Sequence, residues 1–405
     1  MKMNEQPFDV AIVGAGVVGL TLAAILAKAE MKVVVFERGS IPVFDMAKDY
    51  GQRVSAITLA SEMIFRHLGV WQSMLNQRVG SFREMFVWEH QGDAYIHFNC
   101  ATIAKDHLGH IIENNLMQAV LYQFCQQQEQ VSIMTECVLD DVQVDADKIN
   151  LFDSTGRVWQ ARLAVAADGV NSWLRQKMAF PIKKRDYYHH ALVSTVKTEC
   201  SHQQTAWQCF LPQGVLAFLP LSDPNTCSIV WSSTPTHIDY LMQLDEQQFK
   251  RELAGVYSGR LGQIQSFSQR ATFPLHMSHA KYYVKPRVAL IGDAAHSIHP
   301  LAGQGMNLGL WDAAILAEVL IKTHTRQRDF SLEHYLREYQ RRRQNDNRMM
   351  LAAMDGFKCL FTSQQPIVQQ IRHAGLKITN RVLPLKHWFM RRAMGLLGDL
   401  PIIAR

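Results

Sequence analysis

Cysteine is sparse and scattered: Cys100, Cys125, Cys137, Cys200, Cys209, Cys227 and Cys359 form no C-x-x-C pair and sit by no cluster of histidines. That spacing excludes a disulfide-stapled scaffold and a zinc ribbon, and reads as reduced, mostly buried thiols in a cytoplasmic protein without a metal. Long apolar runs are missing too. Val10–Leu26 invites a signal-peptide reading, but three glycines interrupt it and no small-residue cleavage site follows. No other run of 18 apolar residues occurs, so no spanning helix is expected and any membrane contact is peripheral. Charge of one sign is scarce: 42 Lys and Arg against 36 Asp and Glu leave +6, which suits an anionic cofactor or lipid surface and does not call for nucleic acid. Repeats and low-complexity tracts are absent, so the chain is expected to fold throughout, in two or three domains.

What is present begins with a βαβ unit. Periodicity gives a strand at Asp9–Val13, a glycine turn, a helix from about Val18 to Ala29, and a strand at Lys32–Phe36 that ends in Glu37. An extended connection through Met46–Tyr50 precedes helical spacing at Ser61–Leu68. Alternation between Phe82 and Phe98 suggests strands of a second sheet. A helix at Leu116–Gln127 is followed by short strands within Val131–Ala146, Lys148–Phe152 and Ala161–Ala166. Strand patterns dominate from about Tyr187 to Pro274, with one helical interruption near Asp245–Tyr257; Val288–Ile291 then returns to the first sheet, and the chain is largely helical from about Gly309. The expected class is α/β: a discontinuous Rossmann-like nucleotide-binding domain (1–80, 100–180, 280–335), an inserted antiparallel-sheet substrate domain (81–99, 181–279), and a helical C-terminal region (336–405).

Gly14-Ala15-Gly16-Val17-Val18-Gly19 lies between the first strand and the first helix, the context that gives this spacing its meaning. Gly14 permits the tight turn, Gly16 a close approach of backbone to a pyrophosphate, and Gly19 close packing of helix on strand; the helix N-terminus favours the negative charge. Glu37 is placed to accept from both hydroxyls of an adenosine ribose. Arg38 suits a 2′-phosphate, or is a solvated surface arginine. Near the other end, strand Val288–Ile291 leads into Gly292-Asp293-Ala294-Ala295-His296, His299-Pro300 and Gly303-Gln304-Gly305-Met306-Asn307, and then a helix. A carboxylate just past a strand end can bind ribityl hydroxyls. The glycines let backbone pass an isoalloxazine edge, and helix N-terminal amides near Met306 and Asn307 can face flavin N1 and C2=O, where negative charge gathers on reduction.

At this point a family resemblance becomes clear. GDAAHSIHPLAGQGMNLGL resembles the second FAD motif of the flavoprotein aromatic hydroxylases related to para-hydroxybenzoate hydroxylase, and Ala167-Asp168-Gly169-Val170-Asn171-Ser172 resembles their DG motif. GQRVSAITLASEMIFRHLGVW, GHIIENNL, ADGVNSWLR and VLAFLPLSDP are similar to the ubiquinone-biosynthesis hydroxylases, most closely the polyprenylphenol 5-hydroxylase (VisC-type) branch, over nearly the whole chain. The resemblance implies FAD, with NAD(P)H as transient reductant and O2 as co-substrate. It implies C5 hydroxylation of a 2-polyprenylphenol through a C4a-hydroperoxide of the flavin, and other proteins of that pathway as partners. It also implies that Asp168 and Gly169 lie beside the FAD pyrophosphate, and that Arg53 shapes the electrostatics near the flavin, a structural ion pair being its plainer role. Where many relatives carry an Arg or Gln that contacts FAD, this chain reads Ile112-Glu113-Asn114.

For activation of the phenol, His190 is the catalytic candidate beside Arg53; Tyr188 and His189 adjoin it, and all three also read as plain strand residues. His296 and His299 are expected to organise the flavin loop through hydrogen bonds. The tail Arg372–Arg405 mixes basic and apolar residues, which suits an anionic membrane, a partner protein, or a helical subdomain packed on the FAD domain. No second Gly-x-Gly-x-x-Gly unit holds a nicotinamide nucleotide, and no nucleophile elbow occurs. A flavin-dependent dehydrogenase or reductase of the same fold, and a non-catalytic flavoprotein scaffold, are the alternatives.

Overall fold

The computed structural model describes residues 7–90, 93–257, 259–297, 304–362 and 365–405. His299, Pro300 and Gly303 lie outside them. Strand Phe8–Val13 pairs in parallel with Val33–Phe36 and Val158–Ala166; Val131–Met134 and Val288–Leu290 extend the two sides. VAIV and VVVF are apolar without alternation because both faces of a parallel sheet are covered. Helix Val17–Ala27 is buried on nearly every side, packed against helices Asn114–Gln126 and Gln304–His324. Strand Val288–Leu290 returns from far along the chain, so this unit is assembled from discontinuous segments.

The second sheet is almost wholly antiparallel. Its order runs His296–Ser297, Ala271–Ala280, Ile182–Thr198, Thr226–Ser233, Gly214–Pro220, Thr205–Leu211, Glu84–Glu89, Tyr95–Asn99, with Ile264–Phe267 also on Ile182–Thr198. One face carries Leu192, Trp231 and Phe218 under two helices, Pro235–Gln243 and Glu246–Tyr257, where a single helical interruption was expected. The first of these has legible signals: Thr234 caps it by accepting from the His237 amide, and Pro235 opens it.

A small third sheet joins Val54–Thr58, Gly109–Glu113 and Val79–Phe82. It has no counterpart in the sequence reading, because strands of four or five residues carry too few alternations to be seen. Helix Glu333–Thr362 packs on Gln304–His324, whereas helix Pro366–Arg381 packs on edge strand Tyr95–Asn99 of the second sheet and leads into helix Leu383–Ala393. The tail therefore folds partly against each unit. Among the described residues no helix is long and apolar enough to cross a membrane.

Candidate active site

The glycine loop separates two reasons for glycine. Gly14 has φ +108°, and a Cβ there would lie 2.5 Å from the Ala167 carbonyl oxygen; a Cβ on Gly19 would lie 2.1 Å from the Gly14 carbonyl oxygen. The chain's own packing requires both. Gly16 is extended (φ −71°, ψ 175°), and a Cβ there meets nothing within 4 Å. Packing within the described chain therefore gives no reason for its missing side chain. Beside the loop the Glu37 carboxylate accepts from the Ala15 amide (2.9 Å) and the Gly39 amide (3.1 Å), whereas Arg38 is exposed.

Asp168 follows strand Val158–Ala166, next to the loop. One carboxylate oxygen accepts from the amides of Trp173 (2.6 Å) and Leu174 (3.3 Å); the other is buried without a partner. Burial raises its pKa, opposed by hydrogen bonds from Ser172 and the following amides. An orphaned buried acceptor is costly and calls for a donor. Gly169 has φ +78° and open space about its Cβ position. Arg175 ties this segment to the next one, donating to the carbonyls of Val170 (2.7 Å) and Ala294 (3.0 Å).

Asp293 lies in the turn Gly292–Ala294. It exposes surface yet is densely surrounded by protein, so it lines a recess. That crowding raises its pKa, while the positive fields of His296 and Arg53 pull it down. Arg53 thus lies near Asp293, with its guanidinium 4.8 Å from the Phe273 ring centre. Gly309 lets helix Gln304–His324 close on Val18 and Gly292, where a Cβ would stand 2.8 and 3.2 Å away. At the start of that helix the Asn307 side chain accepts from the Thr58 amide (3.0 Å) and donates to the Ala56 carbonyl (2.7 Å). Asn307 therefore staples the helix to the small sheet, and any approach to a ligand is left to backbone, as it is for half-buried Gly305 and Met306.

A cavity of about 230 Å³ opens between the small sheet, the second sheet, the start of helix Gln304–His324 and helix Leu383–Ala393. Its walls are apolar: Val54, Met85, Phe98, Ala217, Val230 and Phe389 are typical. Among the described residues, polar side chains come only from Thr58, Gln208, Ser232 and Gln304, and the side-chain oxygen of Gln304 is buried without a partner.

The comparisons with known proteins agree with this geometry. Residues 7–352 match the family model described as an FAD binding domain. The chain is 35% identical to the 3-demethoxyubiquinol 3-hydroxylase of Escherichia coli, over 97% of this chain and 100% of that one. It is 32% identical to the human mitochondrial ubiquinone biosynthesis monooxygenase COQ6, over 96% and 92%. The chain belongs to the FAD-dependent ubiquinone-biosynthesis hydroxylases. Among solved structures it superimposes on p-nitrophenol 4-monooxygenase from Pseudomonas putida with a TM-score of 0.79 (19% identity, 97% of this chain and 99% of that one). It also superimposes on Klebsiella pneumoniae HpxO, complexed with FAD and uric acid, with a TM-score of 0.73 (19% identity, 96% and 97%).

The fold brings Gly14 to Gly19, Glu37, Asp168 and Gly169 to one region, and Arg53, Gly292 and Asp293 to another close by. It does not bring His190. Val230, Ser232, Ala217 and Gln208 share the cavity face of the second sheet, and Ser232 pairs with Ala191. His190 pairs with Ser233 and Pro274, one residue out of phase, so it belongs to the opposite, helix-covered face. A bulge between Asp186 and His189 sets this phase and leaves Tyr188 exposed with φ +51°. By the same alternation buried His189 belongs to the cavity face.

Hydrogen bonding by His296 beneath the turn Gly292–Ala294 is the role expected of it; the residues that sequence reasoning passed over are its partners Asp312, Arg343 and Asn347. His296 meets the fully buried Asp312 (2.5 Å), which also accepts from the Gly292 amide (3.0 Å) and from the Nε–H of buried Arg343 (2.7 Å). Arg343 donates to the side-chain oxygen of Asn347 (2.8 Å), whose side-chain NH2 donates to the Tyr283 hydroxyl (3.2 Å). In the Ile112-Glu113-Asn114 segment, Glu113 accepts from the Gly51 amide (2.6 Å) and pairs with Arg78 (3.1 Å), a structural task. Farther off, buried Glu62 binds His107 (2.8 Å) and Arg66 (2.7 Å), with His110 at 3.4 Å. Burial opposes the charge on Glu62, but the bonds from His107, His110 and Arg66 outweigh it and hold the pKa well below the carboxylate range. The Arg66 cation already balances that carboxylate, so no metal is needed there.

Proposed function

We propose that this hydroxylase oxidises C5 of a 2-polyprenylphenol, using O2 and taking electrons from NAD(P)H that binds only transiently. The carrying observation is the apolar cavity, whose few polar groups are amides and hydroxyls. Bound FAD would supply acceptance of hydride from NAD(P)H and, once reduced, activation of O2, one oxygen atom going to the ring and the other leaving as water. The glycine loop and Glu37 would hold its nucleotide half, with Asp293 and the amides at the start of helix Gln304–His324 toward the flavin half. The apolar walls exclude water, which would otherwise compete at the reacting centre. An engineered cavity of ~150 Å³ takes up benzene; one of about 230 Å³ accommodates a phenol with the start of its side chain. Among the described residues that line the cavity there is no Asp, Glu, His, Lys, Arg, Tyr or Cys, and the polar side chains they offer a phenol hydroxyl are Gln304, Gln208, Ser232 and Thr58. The unpartnered Gln304 carbonyl oxygen is well suited to accept its proton in a hydrogen bond.

The test is oxygen uptake and NAD(P)H oxidation by the yellow holoenzyme with a short-chain 2-polyprenylphenol, followed by mass and NMR analysis of the product. One oxygen atom at C5 supports the reading. Turnover of a 3-demethoxyubiquinol in its place would make the activity that of the Escherichia coli relative, a reading favoured by the 35% identity. Ala217 stands on the cavity wall, and Ala217→Phe is expected to lower turnover about tenfold to a hundredfold through overpacking. Flavin content should stay at one per chain, and an unchanged rate would remove this cavity from the reaction.

A further inference from the structure

The last helices turn an apolar face outward. Ile367, Ile371 and Ile378 are 72, 60 and 53% exposed, and their spacing puts them on one stripe of helix Pro366–Arg381. The inward side of that helix is occupied otherwise: Leu376 is buried, and buried Arg372 pairs with Glu89. Leu383 and Trp388 continue the exposed face along helix Leu383–Ala393. Of the 22 large hydrophobic side chains that stand exposed among the described residues, seven fall between positions 367 and 388. Such clustering marks an interaction surface, whereas single exposed hydrophobics do not.

Charge selects the partner. Residues 365–405 hold seven Lys and Arg but a single acid, Asp399, so the chain's entire formal excess of +6 lies in this segment. Arg381 and Arg391 are exposed there. An amphipathic surface of Ile, Leu and Trp flanked by arginines is matched by a bilayer interface carrying anionic headgroups.

We infer that helices Pro366–Arg381 and Leu383–Ala393 form a docking face for an anionic lipid surface, through which a long-tailed substrate reaches the cavity. The second clause rests on the proposed function. Phe389, Met390 and Ala393 of helix Leu383–Ala393 and Met394 at its C-terminal end line the cavity, and Ala393 is itself exposed, so the cavity comes to the surface on the docking helix. The substrate can then enter from lipid with its tail still in the bilayer.

The experiment is co-sedimentation of the holoenzyme with vesicles of phosphatidylglycerol and phosphatidylcholine, with phosphatidylcholine alone as the contrast. The expected result is binding to the anionic vesicles, at least tenfold weaker to neutral ones or at high salt. Ile371→Glu with Ile378→Glu, and separately Arg381→Glu with Arg391→Glu, should each weaken binding at least tenfold. Both should leave turnover of a short, water-soluble phenol unchanged while slowing that of a long-chain phenol held in vesicles. A holoenzyme that stays in the supernatant with anionic vesicles, or double variants that sediment like the parent, overturns the inference; the face then belongs to a protein partner. Binding to vesicles without hydroxylation of any phenol would instead break the proposed function and leave the docking face standing.

Discussion

Replacing Asp312 with Ala is expected to remove about 3–5 kcal/mol of folding stability, the usual cost of breaking a buried ion pair from one side. Asp312 and Arg343 are both fully buried, and the carboxylate also serves His296 and the Gly292 amide. Burial alone would raise the pKa of Asp312; the His296 and Arg343 charges and their hydrogen bonds win, and hold it below the ordinary value. Its stabilising effect is therefore fully present above the ordinary carboxylate range, and is lost only as pH falls through the lower native value. Without Asp312, Arg343 is left as a buried cation held by the Asn347 side-chain oxygen (2.8 Å) and the Leu308 carbonyl (3.4 Å), with the partly exposed Asp346 carboxylate at 3.5 Å as its remaining counter-charge. Denaturant unfolding measures the loss. Asp312→Leu combined with Arg343→Met should be milder than Asp312→Ala, since the buried Arg343 cation is removed together with its carboxylate. Because Asp312 holds the turn that carries Asp293, flavin affinity should fall in parallel. A single variant that loses under about 1 kcal/mol would show that the network does not hold the loop.

That network also shows where the sequence stops being readable. Gly14, Gly16, Gly19 and Glu37 are legible because a strand, a turn and a helix in one short stretch define their tasks. Asp293 is legible for the same reason, standing just past a strand end. Asp312 and Arg343 are 31 residues apart on two helices. A charged run such as Arg337–Arg348 reads as a solvated face, and only the packing of helix Glu333–Thr362 on Gln304–His324 shows Arg343 to be interior. His190 fails for a different reason. Alternation predicts that neighbouring residues point opposite ways, but not which one points inward, and the bulge before His189 resets that phase. The cavity was not foreseeable at all, since its walls come from residues 54 to 394 and meet only after both sheets have formed.

Adding the same single methyl group at two glycines of one loop should give opposite results. Gly19→Ala places a Cβ 2.1 Å from the Gly14 carbonyl oxygen, so helix and strand must move apart; a loss of about 1–3 kcal/mol from the apoprotein is expected, as for other overpacked sites. At Gly16 the backbone is already extended and the Cβ position meets no protein atom. Gly16→Ala should therefore leave the apoprotein as stable as the parent, or up to about 1 kcal/mol more stable, because the unfolded chain loses freedom. Its effect should appear on FAD alone, as a roughly tenfold to hundredfold weaker affinity where the methyl group stands against the pyrophosphate. Denaturant unfolding of the two apoproteins and titration by flavin fluorescence separate the cases. If Gly16→Ala bound FAD as the parent does, the pyrophosphate would have to lie elsewhere. If it unfolded as easily as Gly19→Ala, the glycine would serve the chain's own packing, and the argument that the loop is shaped around a ligand would fail.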